Sequence, residues 1–377
     1  MLEPTSRLTS FALSMGLGIV LAFSGPSMIA WSEPDHILTT IPVGAMPMGV
    51  AVKPDGQYVY VTVLSNDSVA VIESATNTVI ANVGVGDNPN FVAVSPNGQL
   101  AYVSNLTSDT VSVINTATNL VTHTIAVGDA PRQIAFSPDG SRAYVGNQLG
   151  DTVSVIDTGA NSVTATIAAG DGPYGLAITP DGSLMYVGNL NGNTVTVIQT
   201  SNNSVIATIP SIPFPTGVSV SPDGTRVYVA STTPDSVRVI ATATNTVTAT
   251  TSVGAAPYGV AVSPSGNEIV VANYSSASIS FISTATNAVT RTISVGNNPQ
   301  QVAYNPAGTR VYVSNYDSSS VSVIASPVQA SGQQSGASAP EVATLAKTGN
   351  PDFLIFALTG LGLLFAGGIT LLGRRVL

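Results

Sequence analysis

Proline recurs along this chain at a fixed interval of 42 residues. Seven prolines keep the interval without a slip: Pro47, Pro89, Pro131, Pro173, Pro215, Pro257 and Pro299. A second series keeps the same step seven residues further on: Pro54, Pro96, Pro138, Pro180, Pro222, Pro264 and Pro306. A fixed period of this length is typical of an array of one supersecondary unit, so the sequence predicts seven copies of that unit.

Each copy contains four short apolar runs rich in β-branched residues, which are too short for helices. In the third copy these runs are residues 134–136, 143–145, 153–156 and 163–167. Turn-forming residues separate them, with Ser-Pro-Asp-Gly at 137–140 and Thr-Gly-Ala-Asn at 158–161. Four antiparallel strands in about 40 residues are typical of a propeller blade. The sequence therefore predicts an all-β, seven-bladed β-propeller.

The two ends of the array predict how the ring closes. After Ile324 the seventh copy loses its fourth strand, while residues 35–41 align with residues 77–83 one period later. We expect residues 35–41 to complete the last blade, so that the propeller covers residues 35–326. Closure of this kind removes the open ends that a linear array has to cap.

The second strand of each copy carries a recurring four-residue motif. It reads Tyr-Val-Ser-Asn at 102–105 and 312–315, and Tyr-Val-Gly-Asn at 144–147 and 186–189. This motif resembles that of the YVTN-type β-propeller repeat proteins, many of which are surface-layer or secreted proteins. Residues 60–63, 228–231 and 270–273 depart from it by one letter or more. Those blades are expected to keep the fold, but the departures argue against a ligand that needs all seven asparagines.

The first 30 residues resemble a secretory signal peptide. Arg7 precedes an apolar run at residues 11–23 and then a zone of small residues. Ser24 and Ala30 are both candidates for the residue before the cleavage site. The alternative is a retained membrane anchor, because the apolar run continues in part through residues 28–31.

The chain changes character after the repeats. Residues 327–344 are small, polar and almost uncharged, as in a flexible linker. Residues 353–372 are an uncharged apolar stretch long enough to cross a hydrocarbon core of about 30 Å as a helix. Arg374 and Arg375, in the basic tail 373–377, predict a cytoplasmic end with the propeller outside.

A five-residue motif precedes that apolar stretch: Leu345, Ala346, Lys347, Thr348 and Gly349. It resembles the L-P-x-T-G sorting signal of Gram-positive surface proteins, in the L-A-x-T-G form seen in actinobacteria. The resemblance implies that a sortase cleaves between Thr348 and Gly349 and joins the threonine to cell-wall peptidoglycan. The alternative is a plain membrane anchor formed by residues 353–372.

The charge balance limits the classes of partner. The chain has no cysteine, 8% charged residues and a net charge of −9. Residues 35–326 contain seven Lys or Arg and 16 Asp or Glu. This acidic balance argues against nucleic acid or an anionic membrane surface as a partner of the propeller.

No catalytic, metal or cofactor site is predicted. His36 and His123 are the two histidines, and both fall in fourth strands, at the outer edge of a blade. No His, Asp or Glu cluster has the spacing of metal ligands. The alternative to a binding function is a lactonase-like hydrolase, because propeller lactonases share this architecture. This alternative rests on analogy of fold alone.

The copies differ most in the residue that follows the repeat proline. Along the chain this residue is Met48, Asn90, Arg132, Tyr174, Thr216, Tyr258 and Gln300. The next position reads Gly49, Phe91, Gln133, Gly175, Gly217, Gly259 and Gln301. The predicted site, at the mouth of the channel, consists of Asn90, Arg132, Tyr174, Tyr258 and Gln300, which suit a sugar or peptide ligand. The alternative is neutral drift at solvent-exposed positions.

Aspartates recur in two loops of the repeat. Asp67, Asp109, Asp151 and Asp235 share one position in the loop between the second and third strands, where other copies carry Asn193, Ala277 and Ser319. We expect these carboxylates to accept hydrogen bonds from local backbone amides, with weak cation binding as the alternative. The same expectation applies to Asp87, Asp129 and Asp171 in the loop before the repeat proline.

The sequence as a whole predicts a bacterial cell-surface propeller fixed to the wall. Its expected partners are sortase, peptidoglycan, the membrane and a glycan or protein ligand. Its expected role is adhesion, ligand binding or envelope structure, with an extracellular lactonase-like enzyme as the alternative.

Overall fold

The computed structural model describes residues 36–326, which form 28 strands in seven four-stranded antiparallel sheets. The strands are β1 (Ile37–Pro42), β2 (Pro47–Val52), β3 (Tyr58–Val63), β4 (Ser68–Glu73), β5 (Thr78–Gly84), β6 (Pro89–Val94), β7 (Leu100–Asn105), β8 (Thr110–Asn115), β9 (Leu120–Ala126), β10 (Pro131–Phe136), β11 (Arg142–Asn147), β12 (Thr152–Asp157), β13 (Ser162–Ala168), β14 (Pro173–Ile178), β15 (Leu184–Asn189), β16 (Thr194–Gln199), β17 (Ser204–Ile209), β18 (Pro215–Val220), β19 (Arg226–Thr232), β20 (Asp235–Ala241), β21 (Thr246–Ser252), β22 (Pro257–Val262), β23 (Glu268–Asn273), β24 (Ser278–Ser283), β25 (Ala288–Ser294), β26 (Pro299–Tyr304), β27 (Arg310–Asn315) and β28 (Ser320–Ala325). Two 3-10 helices cover Leu64–Asn66 and Tyr274–Ser276.

Each sheet is a meander that forms one blade, and the seven blades confirm the predicted propeller. Blades 1 to 6 are β2–β5, β6–β9, β10–β13, β14–β17, β18–β21 and β22–β25, and blade 7 combines β26–β28 with β1. The first strands of neighbouring blades contact one another around a central channel. We call the four strands of a blade a to d, from the channel outwards.

Strand β1 closes the ring, as the alignment of the two ends of the array predicts. It pairs antiparallel with β28, with Thr40 opposite Ser322 and Ile41 opposite Val321. The Val43 N–H donates to the Ser319 carbonyl at 3.2 Å just beyond the strand. The observed strand begins and ends slightly later than the predicted residues 35–41.

The hydrophobic core lies between blades, and each cluster joins strands of two neighbours. One cluster packs Tyr102 and Val113 of blade 2 against Ile134 and Val145 of blade 3. The Tyr102 hydroxyl donates to Asn161 Oδ1 of blade 3 at 3.3 Å, so the polar end of this buried ring finds a partner across the interface. Neighbouring blades therefore stabilise each other, which favours a ring over separate units.

The motif asparagine on strand b is a structural residue. Asn147 is fully buried, and its Nδ2 donates to Thr152 Oγ1 at 3.0 Å and to Ser154 Oγ at 2.9 Å. The corresponding asparagines make the same two bonds to strand c in four further blades: Asn105, Asn189, Asn273 and Asn315. The motif therefore fixes strand b to strand c near the end of the blade.

The aspartates between strands b and c hold the next blade. Asp109 Oδ1 accepts a 2.8 Å hydrogen bond from the N–H of Ala130, which precedes the repeat proline with φ of 54°. The equivalent backbone N–H donates in the same way to Oδ1 of Asp67, Asp151, Asp235 and Asn193. Bonding to backbone amides is as predicted, but the amide lies in the following loop rather than in the same turn.

Several predicted segments lie outside the described residues: the signal peptide 1–30, the linker 327–344, the sorting motif 345–349, the helix 353–372 and the tail 373–377. Between residues 36 and 326, no helix is long and apolar enough to cross a membrane.

Candidate functional site

Aromatic side chains from three blades meet at one end of the channel. The Tyr174 ring is edge-on to Phe91 at 5.8 Å between centroids and edge-on to Tyr258 at 5.9 Å. The Arg132 guanidinium carbon lies 4.9 Å from the Tyr174 centroid. Because blades 2, 3, 4 and 6 contribute these groups, they form a plug across the channel. We call this end of the propeller, with the d–a and b–c loops, the plug face, and the opposite end, with the a–b and c–d turns, the turn face.

Glycines decide which side chains enter the channel. A Cβ on Gly175 would lie 2.0 Å from the Thr216 carbonyl oxygen of the next strand a, and a Cβ on Gly217 would lie 2.5 Å from that of Tyr258. Glycine at this position therefore lets neighbouring strands approach closely. In three copies it is replaced by Phe91, Gln133 or Gln301, and these side chains lie along the channel.

Burial dominates the electrostatics of the plug. Loss of water raises the pKa of Tyr174 well above its usual value, and the neighbouring Tyr258 adds to the rise, while Arg132 opposes it. Arg132 is held in place because its Nε donates to Gln148 Oε1 at 2.6 Å. Tyr174 is therefore a neutral phenol at physiological pH, and the plug carries one positive charge from Arg132.

A cavity of about 390 Å³ occupies the channel behind the plug. At the plug end the cavity is lined by Phe91 of the plug together with Gln133 and Gln301, and at the turn face it is lined by Ser221 and Pro222. Between them stands a ring of one aliphatic residue from every blade: Val50, Val92, Ile134, Leu176, Val218, Val260 and Val302. Among residues 36–326, no side chain that lines this cavity is ionisable. The channel is therefore a pocket blocked at the plug face, with an uncharged wall.

The predicted site residues fall into two groups. Arg132, Tyr174 and Tyr258 are brought together in the plug. Asn90 and Gln300 occupy the equivalent position in blades 2 and 7, where their exposed fractions are 2% and 6%. Asn90 Oδ1 is buried and has no hydrogen-bond partner within residues 36–326. Whether the five residues bind a ligand stays a prediction.

The premise of the alternative, that these positions are solvent-exposed, is wrong. Asn90, Tyr174, Thr216 and Gln300 are buried, and Met48, Arg132 and Tyr258 are half-buried. Tyr174 contacts both Tyr258 and Arg132, whereas the Thr216 hydroxyl donates to the backbone carbonyls of Pro257 and Tyr258 in the next blade. The side chains at this position therefore differ in the contacts that bury them.

The sequence prediction missed the channel wall itself. Gln133, Gln301 and Phe91 belong to the second row of variable residues and not to the predicted site, yet they line the cavity. The sequence does contain an indication of this wall, because glycine is replaced by a larger residue at this position in three copies. Neighbouring strands approach too closely to hold that side chain between them, so it lies in the channel.

The rim of the plug face is acidic. Asp87, Asp129 and Asp171 are exposed on three consecutive blades. Arg132 lies in the wall of a shallow depression of about 610 Å³ between blades 2 and 3, together with Asp129 and the exposed side chain of Leu149.

Both histidines lie away from the channel, as predicted. His123 is exposed in β9, the outer strand of blade 2, and His36 directly precedes β1, the outer strand of blade 7. Within the part of the chain that the structure describes, no group of three or more His, Asp or Glu residues is arranged to hold a metal ion.

Comparisons with known proteins agree with the propeller. Residues 39–124, 91–166 and 203–294 match the family described as "Lactonase, 7-bladed beta-propeller", and residues 139–233 match the "YNCE-like beta-propeller" family. The chain is similar to a chain of the solved Kuenenia stuttgartiensis hydrazine synthase, with a TM-score of 0.70 and 25% identity over 75% of this chain and 96% of that one. No curated protein matches the sequence. Since the first family model covers more than half of the residues, the chain belongs to the lactonase family of seven-bladed β-propellers.

Proposed function

We propose that this propeller is a ligand-binding module displayed outside a bacterial cell, and that its channel takes up a small uncharged molecule. The observation that carries the proposal is the cavity of about 390 Å³ that the plug of Phe91, Tyr174 and Tyr258 blocks at one end. A pocket of this size, whose wall combines a ring of aliphatic side chains with polar groups, is compatible with a small-molecule site.

The wall of the pocket defines the kind of ligand. Gln133 Oε1 accepts a 3.3 Å hydrogen bond from the Leu176 N–H, which leaves the Gln133 amide hydrogens to donate to a ligand. Gln301 and Ser219 are further polar side chains of the wall. An ionised ligand would lose its hydration without gaining an opposite charge, so the pocket favours a neutral one. The ligand enters from the turn face, because the plug obstructs the other end.

Binding can be tested with the neutral fluorescent probe N-phenyl-1-naphthylamine, which brightens in apolar surroundings. We expect the full chain to bind it, and Ala177→Trp, at the cavity wall, to abolish the signal by filling the channel. Ile206→Trp in β17, the outer strand of the same blade, is the matched control and should leave binding unchanged. Equal fluorescence from both variants contradicts a channel site.

Display at the cell surface is supported by the order of sequence features. A signal-like segment at 1–30 precedes the repeats, and the motif 345–349, the apolar residues 353–372 and the arginine pair follow them. We expect muramidase, and not detergent, to release the propeller from cells, and Thr348→Ala to move it to the detergent fraction. Complete release of the natural chain by detergent counts against attachment to peptidoglycan.

Hydrolysis of a lactone is the second candidate, and the family match favours it. Within the described part of the chain, the cavity wall has no ionisable side chain to act as a general base, which is why we place binding first. A pH-stat assay with simple lactones separates the two. Turnover that Ala177→Trp removes and Ile206→Trp preserves would make the channel an active site.

A further inference from the structure

Tyrosines continue from the plug onto the outer surface of the plug face. Tyr258 of the plug packs against Tyr274 with ring centroids 5.7 Å apart and an angle of 37° between the rings. Tyr274 and Tyr316 follow the motif asparagines of blades 6 and 7, and both are half-buried. The equivalent residues in the other blades are Leu64, Leu106, Gln148, Leu190 and Thr232. The tyrosine pair is thus a local feature of two blades and not part of the repeat.

Backbone hydrogen bonds hold these two tyrosines in place. The Tyr274 N–H donates to the Ala256 carbonyl at 3.0 Å, and the Tyr316 N–H donates to the Asn298 carbonyl at 3.1 Å. Each bond joins the b–c loop to the d–a loop of the same blade. Because the backbone is fixed and a tyrosine side chain has two rotatable bonds, ordering the rings for a ligand costs little conformational entropy.

Hydrogen-bonding groups lie beside the rings. Asn298 Nδ2 donates to the exposed carboxylate of Asp317. Partial burial raises the pKa of Tyr274, and the charge of Asp317 and the neighbouring Tyr258 and Tyr316 raise it further, while a hydrogen bond with Asn298 opposes the rise. The five groups therefore form one cluster in which three phenol rings stand next to a carboxylate and an amide.

We propose that Tyr258, Tyr274, Tyr316, Asn298 and Asp317 form a binding subsite for an uncharged pyranose sugar, separate from the channel pocket. The C–H face of a sugar ring packs on an aromatic face, while its hydroxyls donate to carboxylate and amide oxygens. The exposed carboxylate of Asp317 within the cluster disfavours anionic polysaccharides, so the sugar is neutral. The proposal does not depend on the channel site.

Three uncharged hexasaccharides test the subsite: cellohexaose, maltohexaose and N-acetylchitohexaose. Isothermal titration of the full chain, in a detergent without a sugar headgroup, is expected to detect at least one of them with a Kd of about 1 mM or tighter. The preferred sugar identifies the linkage and substituents that the cluster accepts. Failure of all three hexasaccharides to bind overturns the proposal.

Variants then locate the binding. Tyr274→Leu and Tyr316→Leu introduce the residue that blades 1, 2 and 4 carry at this position, so the fold is expected to tolerate them. Each should weaken sugar binding about tenfold through loss of ring contact, and Asp317→Asn should weaken it less. Tyr58→Ala, a half-buried tyrosine on the turn face, is the control and should bind as the natural chain does. Unchanged affinity in both leucine variants, with unchanged thermal unfolding, also overturns the proposal.

The two proposed sites can fail separately. Tyr274→Leu should leave the binding of N-phenyl-1-naphthylamine unchanged, and Ala177→Trp should leave sugar binding unchanged. Loss of sugar binding in an Ala177→Trp variant with unchanged thermal unfolding would assign the sugar to the channel and overturn the surface subsite.

Discussion

A glycine of the d–a loop and the motif asparagine of strand b pack directly against each other in five blades. A Cβ on the glycine would lie between 2.5 and 2.7 Å from the asparagine side chain in each of these pairs: Gly86 and Asn105, Gly128 and Asn147, Gly170 and Asn189, Gly254 and Asn273, Gly296 and Asn315. The asparagine cannot retreat, because it bonds two hydroxyls of strand c. Glycine is therefore required at this position, because any side chain would overlap the asparagine.

Gly128→Ala tests this packing. We expect a loss of about 1–3 kcal/mol in the free energy of unfolding, because the new methyl group overlaps the Asn147 amide. Gly84→Ala is the matched control, since nothing lies within 4 Å of its added Cβ, and it should change stability by less than about 0.5 kcal/mol. Urea unfolding measures both, and an equal loss in the two variants would refute the steric explanation.

The strand-b tyrosines predict how stability responds to alkaline pH. Burial raises the pKa of Tyr186 to about 12, and its hydroxyl donates to Asn245 Oδ1 at 2.8 Å. Because the pKa of Tyr186 is higher in the folded than in the unfolded chain, the protonated hydroxyl stabilises the folded state. This stabilisation is complete below about pH 10 and is lost as the pH rises towards 12. We expect Tyr186→Phe to cost about 1 kcal/mol at pH 8 through the lost hydrogen bond.

The same variant should show a shallower fall in the free energy of unfolding between about pH 10 and 12 than the natural chain, since one titrating group is removed. Part of the fall in the free energy of unfolding remains in both proteins, because burial also raises the pKa values of Tyr60 and Tyr102 to about 12. Identical pH profiles would contradict the assignment.

Among the elements, β1 is the one whose partner is most distant in the sequence. Ile41 is 3% exposed and packs with Val321 and Val323 of β28, whereas Ile37 in the same strand is 38% exposed. We expect Ile41→Ala to lower the free energy of unfolding by about 2–5 kcal/mol. Ile37→Ala should have a much smaller effect. Thermal unfolding that Ile41→Ala does not change would mean that β1 contributes little to the ring.

The sequence predicts the strands themselves, but the observed strands are longer than the apolar runs, for a physical reason. In blade 3 the apolar runs predict residues 134–136 and 143–145, while β10 and β11 cover Pro131–Phe136 and Arg142–Asn147. The ladders extend through polar residues such as Asn147, whose side chain is buried and hydrogen-bonded. An apolar pattern cannot detect a strand end that polar contacts stabilise.

The repeat pattern also did not predict a buried ion pair within blade 6, which a tyrosine of blade 7 contacts. Glu268 is 4% exposed, pairs with Arg291 and accepts a 3.1 Å hydrogen bond from the Tyr304 hydroxyl. Arg291 in turn lies 3.7 Å from the Phe281 ring centroid. These residues replace other residue types of the repeat and lie on three strands of blade 6, with Tyr304 on blade 7. The contacts therefore depend on how the strands of one blade pair and on how blade 7 packs against them.

On the scale of the whole molecule, the period predicts the ring and its number of blades but not what fills the channel. Phe91, Tyr174 and Tyr258 belong to three blades that are not adjacent in the ring. Their contact depends on the channel radius and on which neighbours carry glycine. The sequence therefore indicates where the copies vary, while the plug and the pocket behind it follow from the packing of all seven blades.

A disulfide between β1 and β28 shows whether the ring is closed by β1. The chain has no cysteine, so Thr40→Cys with Ser322→Cys would contain a single pair. Thr40 and Ser322 are opposite each other in β1 and β28, and the bond from Val43 to Ser319 places them at a non-hydrogen-bonded position, where Cα atoms are closest.

Thr40→Cys with Ser154→Cys, at the equivalent residue of blade 3, is the control. If β1 closes the ring, thiol titration after mild oxidation finds no free thiol in the first variant and two in the control. Two free thiols in a folded first variant would contradict a ring closed by β1.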